Sequence, residues 1–233
     1  MIAEENSGGY VLHSRPWRET SLILELFTRE EGRIAAVMRS ARKVQGRSPT
    51  RPQPFQHYEW QLTGRRELKN LSQLELAGRP RILPPQHLAI GFYLNELLMR
   101  ALSRMEAMPR LYDAYDQALA LLADQNCNLF GLSRNFEQLL LQELGAAPDW
   151  LVTVEGEAVD LEGIYYLDPE SGVSRVSSNG AKPVRGVALH ALDSGDYSEP
   201  SVRREVRDVM AFLLQPHIGT APLKSRELWL GTR

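Results

Sequence analysis

Cysteine is almost missing from this sequence: Cys127 is the only one in 233 residues. That count excludes an intramolecular disulfide and any cysteine-rich zinc site, and a chain of this length can bury a core without either. Cys127 follows the polar run Asp124-Gln125-Asn126 with no histidine close by, so nothing there activates a thiolate. Long hydrophobic runs are missing too. No segment approaches the roughly 20 apolar residues that cross a bilayer, and the opening residues lack a basic start followed by an apolar stretch, so a cytoplasmic protein with no membrane contact is expected.

Catalytic signatures are equally scarce. There is no Gly-rich phosphate loop followed by Lys and Ser or Thr, no dinucleotide fingerprint and no nucleophile elbow, which argues against ATP-driven work. The five histidines, His13, His57, His87, His190 and His217, are scattered, and no two are spaced to face a metal from one helical face. Glu157 with Asp160, or Asp168 with Glu170, are carboxylate pairs that a metal-dependent hydrolase or nuclease would need. They sit in a charged, Gly-punctuated stretch where solvated loop residues are the simpler reading. The chain therefore reads as a protein without catalytic turnover or cofactor.

What is present is a strong segregation of charge beneath a net charge of −2. No acid occurs between Gly32 and Tyr58, where Arg33, Arg39, Arg42, Lys43, Arg47 and Arg51 fall. No Lys or Arg occurs between Asn135 and Ser174, where nine Asp and Glu residues fall. Basic character returns at Arg203, Arg204 and Arg207, and again at Lys224 and Arg226. Binding to a polyanion depends on such local clusters and not on the total. The six basic residues from Arg33 to Arg51 are the candidate DNA-binding set, and Lys224 with Arg226 is a candidate second basic patch. Tyr10, Trp17, Phe55, Tyr58 and Trp60 lie nearby. Each either stacks on bases or fills a small core, and core is the better reading for Phe55 and Trp60.

Hydrophobic periodicity places five short strands in the first eighty residues: Tyr10 to Ser14, Ser21 to Phe27, Ile34 to Met38, Phe55 to Thr63 and Leu68 to Leu76. A basic loop with Gly46, Pro49, Pro52 and Pro54 separates the third from the fourth. This pattern suits a small Greek-key barrel of the OB-fold type, with an open antiparallel sheet as the alternative. After Pro84-Pro85 the period becomes helical, with one helix through Leu88, Phe92 and Leu102, a second through Leu111, Tyr115 and Leu122, and a third through Phe136, Leu140 and Leu144. Ser133 is the expected N-cap of the third and Gly145 its expected stop, and the three are expected to form a small bundle. Short β segments follow (Leu151 to Val154, Ile164 to Leu167, Val173 to Val176), then a last helix from about Ser201 to Leu214. The fold class is α+β, an N-terminal OB-fold barrel followed by a helical domain with a small β-ribbon insert. The expected domains are a DNA-binding barrel over 1–80, a helical domain over 81–147, a loop-rich β insert over 148–185 and a C-terminal return to the helical domain over 186–233.

An ordered set of motifs runs through this frame: Gly9-Tyr10-Val11-Leu12-His13-Ser14-Arg15-Pro16-Trp17, Glu19-Thr20-Ser21-Leu22, Phe27-Thr28, Glu31-Gly32-Arg33, Ser40-Ala41-Arg42 and Gln53-Pro54-Phe55. It continues with Tyr93-Leu94-Asn95-Glu96-Leu97-Leu98, Arg134 with Phe136-Glu137, and Pro222-Leu223-Lys224-Ser225-Arg226-Glu227-Leu228. Taken in order over nearly the whole chain, these resemble the RecO family of bacterial DNA repair and recombination mediators. The resemblance implies binding of single- and double-stranded DNA, annealing of complementary strands, and help in loading the RecA recombinase in the RecFOR pathway, at the nucleoid. It also implies two protein partners, the acidic C-terminal tail of the single-strand-binding protein and RecR. Many members of the family carry a cysteine zinc site in the insert, whereas Pro148 to Val176 here has no cysteine, so no zinc is expected. A tail peptide ending in carboxylates and an aromatic requires an apolar groove with a cation at its rim. Arg134, with Arg203, Arg204 or Arg207, is the candidate clamp for its terminal carboxylate. The alternative is that Arg134 simply pairs with Glu137 or Asp208 on the surface.

Overall fold

Alternation of apolar residues along β2 (Ser21–Thr28) sends Leu22, Leu24 and Leu26 to one face, and these meet Ile34, Ala36 and Met38 from β3 (Gly32–Met38) in a common core. Tyr58, Trp60 and Leu62 from β4 (His57–Thr63), Leu71 from β5 (Leu68–Leu76) and Val11 from β1 (Glu5–Trp17) complete it. The computed structural model describes residues 5–39, 52–64, 67–225 and 228. Its five N-terminal strands close into a barrel in the order β1-β2-β3-β5-β4, antiparallel throughout except for the parallel pair β3 and β5. That order, with a parallel closure across a long connection, is the OB-fold. Gly32 makes the turn into β3 at φ 67°, and a Cβ there would lie 1.8 Å from the Glu106 carbonyl oxygen, so only glycine fits.

All of β2 is buried on both faces, because its outer side is covered as well. Phe27 meets the rings of Tyr112 and Tyr115 from α2 (Pro109–Leu122), with centroids 5.4 and 6.0 Å apart. Asn95 on α1 (Leu88–Ala101), which follows a 3-10 turn over Pro85–His87, donates to the Leu12 carbonyl at 3.0 Å. The β1 register shifts between Val11 and His13, at Leu12 itself. The barrel, α1 and α2 thus form one compact unit, Met1–Cys127 with Pro222–Arg233.

The second unit, Asn128–Ala221, holds α3 (Leu129–Glu143), a three-stranded antiparallel sheet, α4 (Gly186–Ser194) and α5 (Pro200–Ile218). The sheet order is β7-β6-β8, from β6 (Ile164–Asp168), β7 (Gly172–Ser174) and β8 (Lys182–Arg185). Along α5, Val202, Val206, Val209, Met210 and Leu213 are buried, as the helical period requires.

Several expectations change in detail. The three helices after the barrel divide between the two units, since the apolar faces of α1 and α2 cover the barrel while α3 packs with α5. Asn128, and not Ser133, caps α3: its side chain accepts from the Gly131 N–H at 3.1 Å, while Ser133 lies inside the helix and donates back to the Leu129 carbonyl. Gly145 does end that helix, at φ 69°. Leu151 to Val154 forms only an isolated bridge from Val152 to Ala158. In the insert Trp150 and Tyr165 are buried, whereas Ile164 faces solvent. The helix α4 had no counterpart among the expected elements.

Candidate functional site

On the barrel, the two basic residues of the first cluster that lie among the described residues take different positions. Arg33 on β3 is half-buried and faces the buried carboxylate of Glu25, which also accepts from Arg104 at 2.5 Å. Burial pushes the Arg33 guanidinium down, with Glu25 opposing the shift. Its contact with Glu25 is the looser of the two, at 3.7 Å, and its mostly buried side chain offers a ligand little open surface. Arg39, just beyond β3, is exposed and donates to Asn70 Oδ1 at 3.2 Å. Arg42, Lys43, Arg47 and Arg51 lie outside the described residues, as does Arg226 of the second patch. Lys224 is exposed, and its backbone N–H donates to Glu96 on α1 at 3.0 Å.

The aromatic candidates separate cleanly. Tyr10, Phe55, Tyr58 and Trp60 are each 3% exposed or less, whereas Trp17 at the end of β1 is 39% exposed. Tyr10 is held in a polar network, its hydroxyl donating to Asp116 and accepting from Arg81. Burial and the Asp116 contact push its phenol up to about 12. Burial likewise pushes the neighbouring His57 imidazole down, and its Nε2 lies 3.1 Å from the Tyr112 hydroxyl.

In the second unit the candidate clamp gathers on one aromatic ring. The helical period brings Phe130 and Arg134 to one face of α3, four residues apart. The Arg134 guanidinium carbon lies 5.2 Å from the Phe130 ring centroid and that of Arg203, on α5, lies 6.0 Å from it. Tyr197 meets the same ring edge-on at 5.3 Å. Its hydroxyl accepts from Gln138 Nε2 at 3.1 Å, and Gln138 Oε1 in turn accepts from the Trp150 indole at 3.1 Å. Arg203 also donates to the Tyr197 carbonyl. Arg134 pairs with Glu137, and the pair is buried, not on the surface. Arg134 Nε is also buried, with no hydrogen-bond partner among the described residues. Arg204 and Arg207 are exposed on α5, Arg207 beside Asp208 at 3.3 Å. Phe130 was not singled out from the sequence. Its position one turn before Arg134 on an apolar helix is the signal that would have found it.

The donor chemistry does not suit a structural zinc in the insert, since Pro148 to Val176 contains neither Cys nor His. Among the described residues no group of three or more His, Cys, Asp or Glu side chains could hold a metal, and no helix is long and apolar enough to cross a membrane.

Comparison with known proteins agrees with this architecture along its length. Residues 1–79 match the family model of the N-terminal part of recombination protein O, and residues 85–227 match that of its C-terminal part. The chain is 38% identical to the DNA repair protein RecO of Pseudomonas paraeruginosa over 96% of its own length and 94% of that protein. It is 39% identical to the RecO protein of Ralstonia nicotianae, covering 94% of this chain and 81% of the relative. For Alteromonas mediterranea the figures are 36%, 95% and 95%. With a closed OB-fold barrel at its start and both halves of the family pattern in order, the chain belongs to the RecO family of DNA repair and recombination proteins.

Proposed function

We propose that the chain is a recombination mediator that works without catalytic turnover or cofactor. It binds single- and double-stranded DNA through Arg39 and the basic residues Arg42, Lys43, Arg47 and Arg51, with Arg33 contributing less because its side chain is mostly buried. It grips the acidic C-terminal tail of the single-strand-binding protein, anneals complementary strands and helps RecA replace the coating protein, with RecR as a further partner, in the cytoplasm at the nucleoid. The observation that carries the reading is the half-buried Phe130 ring flanked by the guanidinium groups of Arg134 and Arg203. A peptide ending in an aromatic and a carboxylate needs an aromatic partner and cations within a few ångströms of each other. A tail site and a DNA site on one chain reinforce each other through effective concentration, which suits a protein that must find strands already coated.

Calorimetry with a synthetic acidic tail peptide tests this directly. Binding by the intact protein, weakened by Phe130→Ala and by Arg203→Ala with free-DNA affinity unchanged, is the expected result. No binding by the intact protein would remove the mediator assignment. Incubating labelled DNA with divalent metal tests the absence of turnover: scission lost on substituting Glu157 and Asp160 would make the protein a nuclease instead.

A further inference from the structure

At one end of the barrel, three strands bring together residues that the sequence keeps apart. Trp17 pairs with Ser21 where the β1–β2 hairpin turns, and Leu22 pairs with Met38 at the exit of β3. Arg39 therefore lies beside Ser21, two strand spacings or about 10 Å from Trp17. Alternation fixes which way these side chains point. Pro16 pairs with Leu22, whose side chain is in the barrel core, so Trp17 and Arg15 share the outer face, about 7 Å apart along β1. Both are exposed. Arg18, held at φ 50°, places its guanidinium carbon 5.9 Å from the Trp17 ring centroid. Only Glu19 in the turn has the opposite sign.

The indole is 39% exposed and carries a cation beside its ring, so it presents an open aromatic surface next to positive charge. It suits a single strand, whose bases have free faces and whose phosphates recur beside them. We infer that Trp17 is a base-stacking platform for single-stranded DNA, with Arg15, Arg18 and Arg39 taking the flanking phosphates. The inference rests on the DNA-binding reading above and adds to it a preference between nucleic-acid forms. Bases in a duplex are stacked on each other and offer Trp17 no open face, so the hairpin tip favours unpaired strand while the basic cluster serves both forms.

The test uses the full chain, a thymine-rich oligonucleotide and a duplex of equal length. Trp17→Phe leaves Trp60, Trp150 and Trp229 in place, so quenching of tryptophan fluorescence by the single strand that disappears in this variant reports on Trp17. Trp17→Ala is expected to weaken single-strand binding about tenfold, the size of one base stacked on one ring. Trp17→Phe should restore most of it, duplex affinity should hold, and the dependence on salt should keep its slope because no phosphate contact is removed. Equal losses for both DNA forms, or no loss for the single strand, would overturn the inference while leaving the DNA-binding reading intact. Failure of the unsubstituted protein to bind either form would overturn both.

Discussion

Glu137 is fully buried on α3, and its ion partner is Arg134, one turn earlier on the same helix. Removing Arg134 therefore does more than remove a cation from the rim of the Phe130 site. It takes the Arg134 guanidinium away from a carboxylate inside the protein, and breaking a buried pair in this way costs on the order of 3–5 kcal/mol. Arg134→Ala is expected to lower the unfolding free energy by that amount, whereas Arg203→Ala, exposed and hydrogen-bonded to one carbonyl, should cost about 1 kcal/mol or less. Thermal unfolding read alongside peptide calorimetry separates the two effects. A large loss of peptide affinity in Arg203→Ala at nearly native stability identifies the clamp.

Arg33 and Arg39 should behave as opposites although both belong to the same basic run. Arg33→Ala removes a partner of the buried Glu25 and is expected to destabilise the barrel by about 1–3 kcal/mol with a small effect on DNA affinity. Arg39→Glu should leave stability within about 0.5 kcal/mol. It should weaken DNA binding at low salt and shallow the salt dependence by about one counterion per lost phosphate contact. Urea unfolding and a salt series of binding curves measure both.

Asn95 joins three elements, donating to the Leu12 carbonyl on β1 at 3.0 Å and accepting from the Tyr115 hydroxyl on α2 at 2.5 Å. Asn95→Leu removes both bonds at a buried site, at about 1–3 kcal/mol for each. Tyr115→Phe removes one and should cost less. A denaturant midpoint shift in that order checks the prediction, and equal midpoints for the two variants would refute it.

The carboxylate of Glu96 holds the segment around Lys224 and Ser225 to α1. Burial pushes it up, but the backbone N–H groups of Ser225 and Lys224, the Ser225 hydroxyl and Arg100 outweigh that and hold it below the usual glutamate range. A carboxyl depressed in this way stabilises the folded protein fully above its unfolded value of about 4.3, and the contribution fades as pH falls through the lower folded value. Amide exchange at Lys224 and Ser225, corrected for intrinsic rates, should therefore show protection at pH 6 that diminishes below pH 4. Glu96→Gln should lose that pH dependence.

Much of the barrel was legible because strands and turns are local patterns: alternation in β2 and β3, the Gly32 turn and the helical period after Pro85 all lie within a few residues. The site was less so. Nothing near Arg33 in sequence says that Glu25 and Arg104 will meet it, since those contacts depend on strand pairing and on the loop after α1. Tyr10 and Trp17 were both aromatic candidates, although the first strand was legible only from Tyr10 to Ser14 and in fact runs on to Trp17. The register shift at Leu12 brings both to the outer face of β1, where α2 covers Tyr10 and Trp17 stays exposed. The short helix α4 escaped because nine residues carry too few turns for the period to show.

The first strand has two neighbours, and it reaches them at very different distances along the chain. Residues from Gly9 onward pair with β2 through a tight hairpin, but Glu5 to Tyr10 pair with β4, where Glu5 meets Leu62. During synthesis the hairpin can form as soon as β2 has emerged, while the outer edge of β1 must wait for β4 to follow. For that interval the growing chain carries an unsatisfied strand edge, open to pairing with another nascent copy. Strain on production of this protein, from fast translation or from substitutions that delay β4, should therefore appear first as aggregation of incomplete chains and not as loss of stability in the finished one.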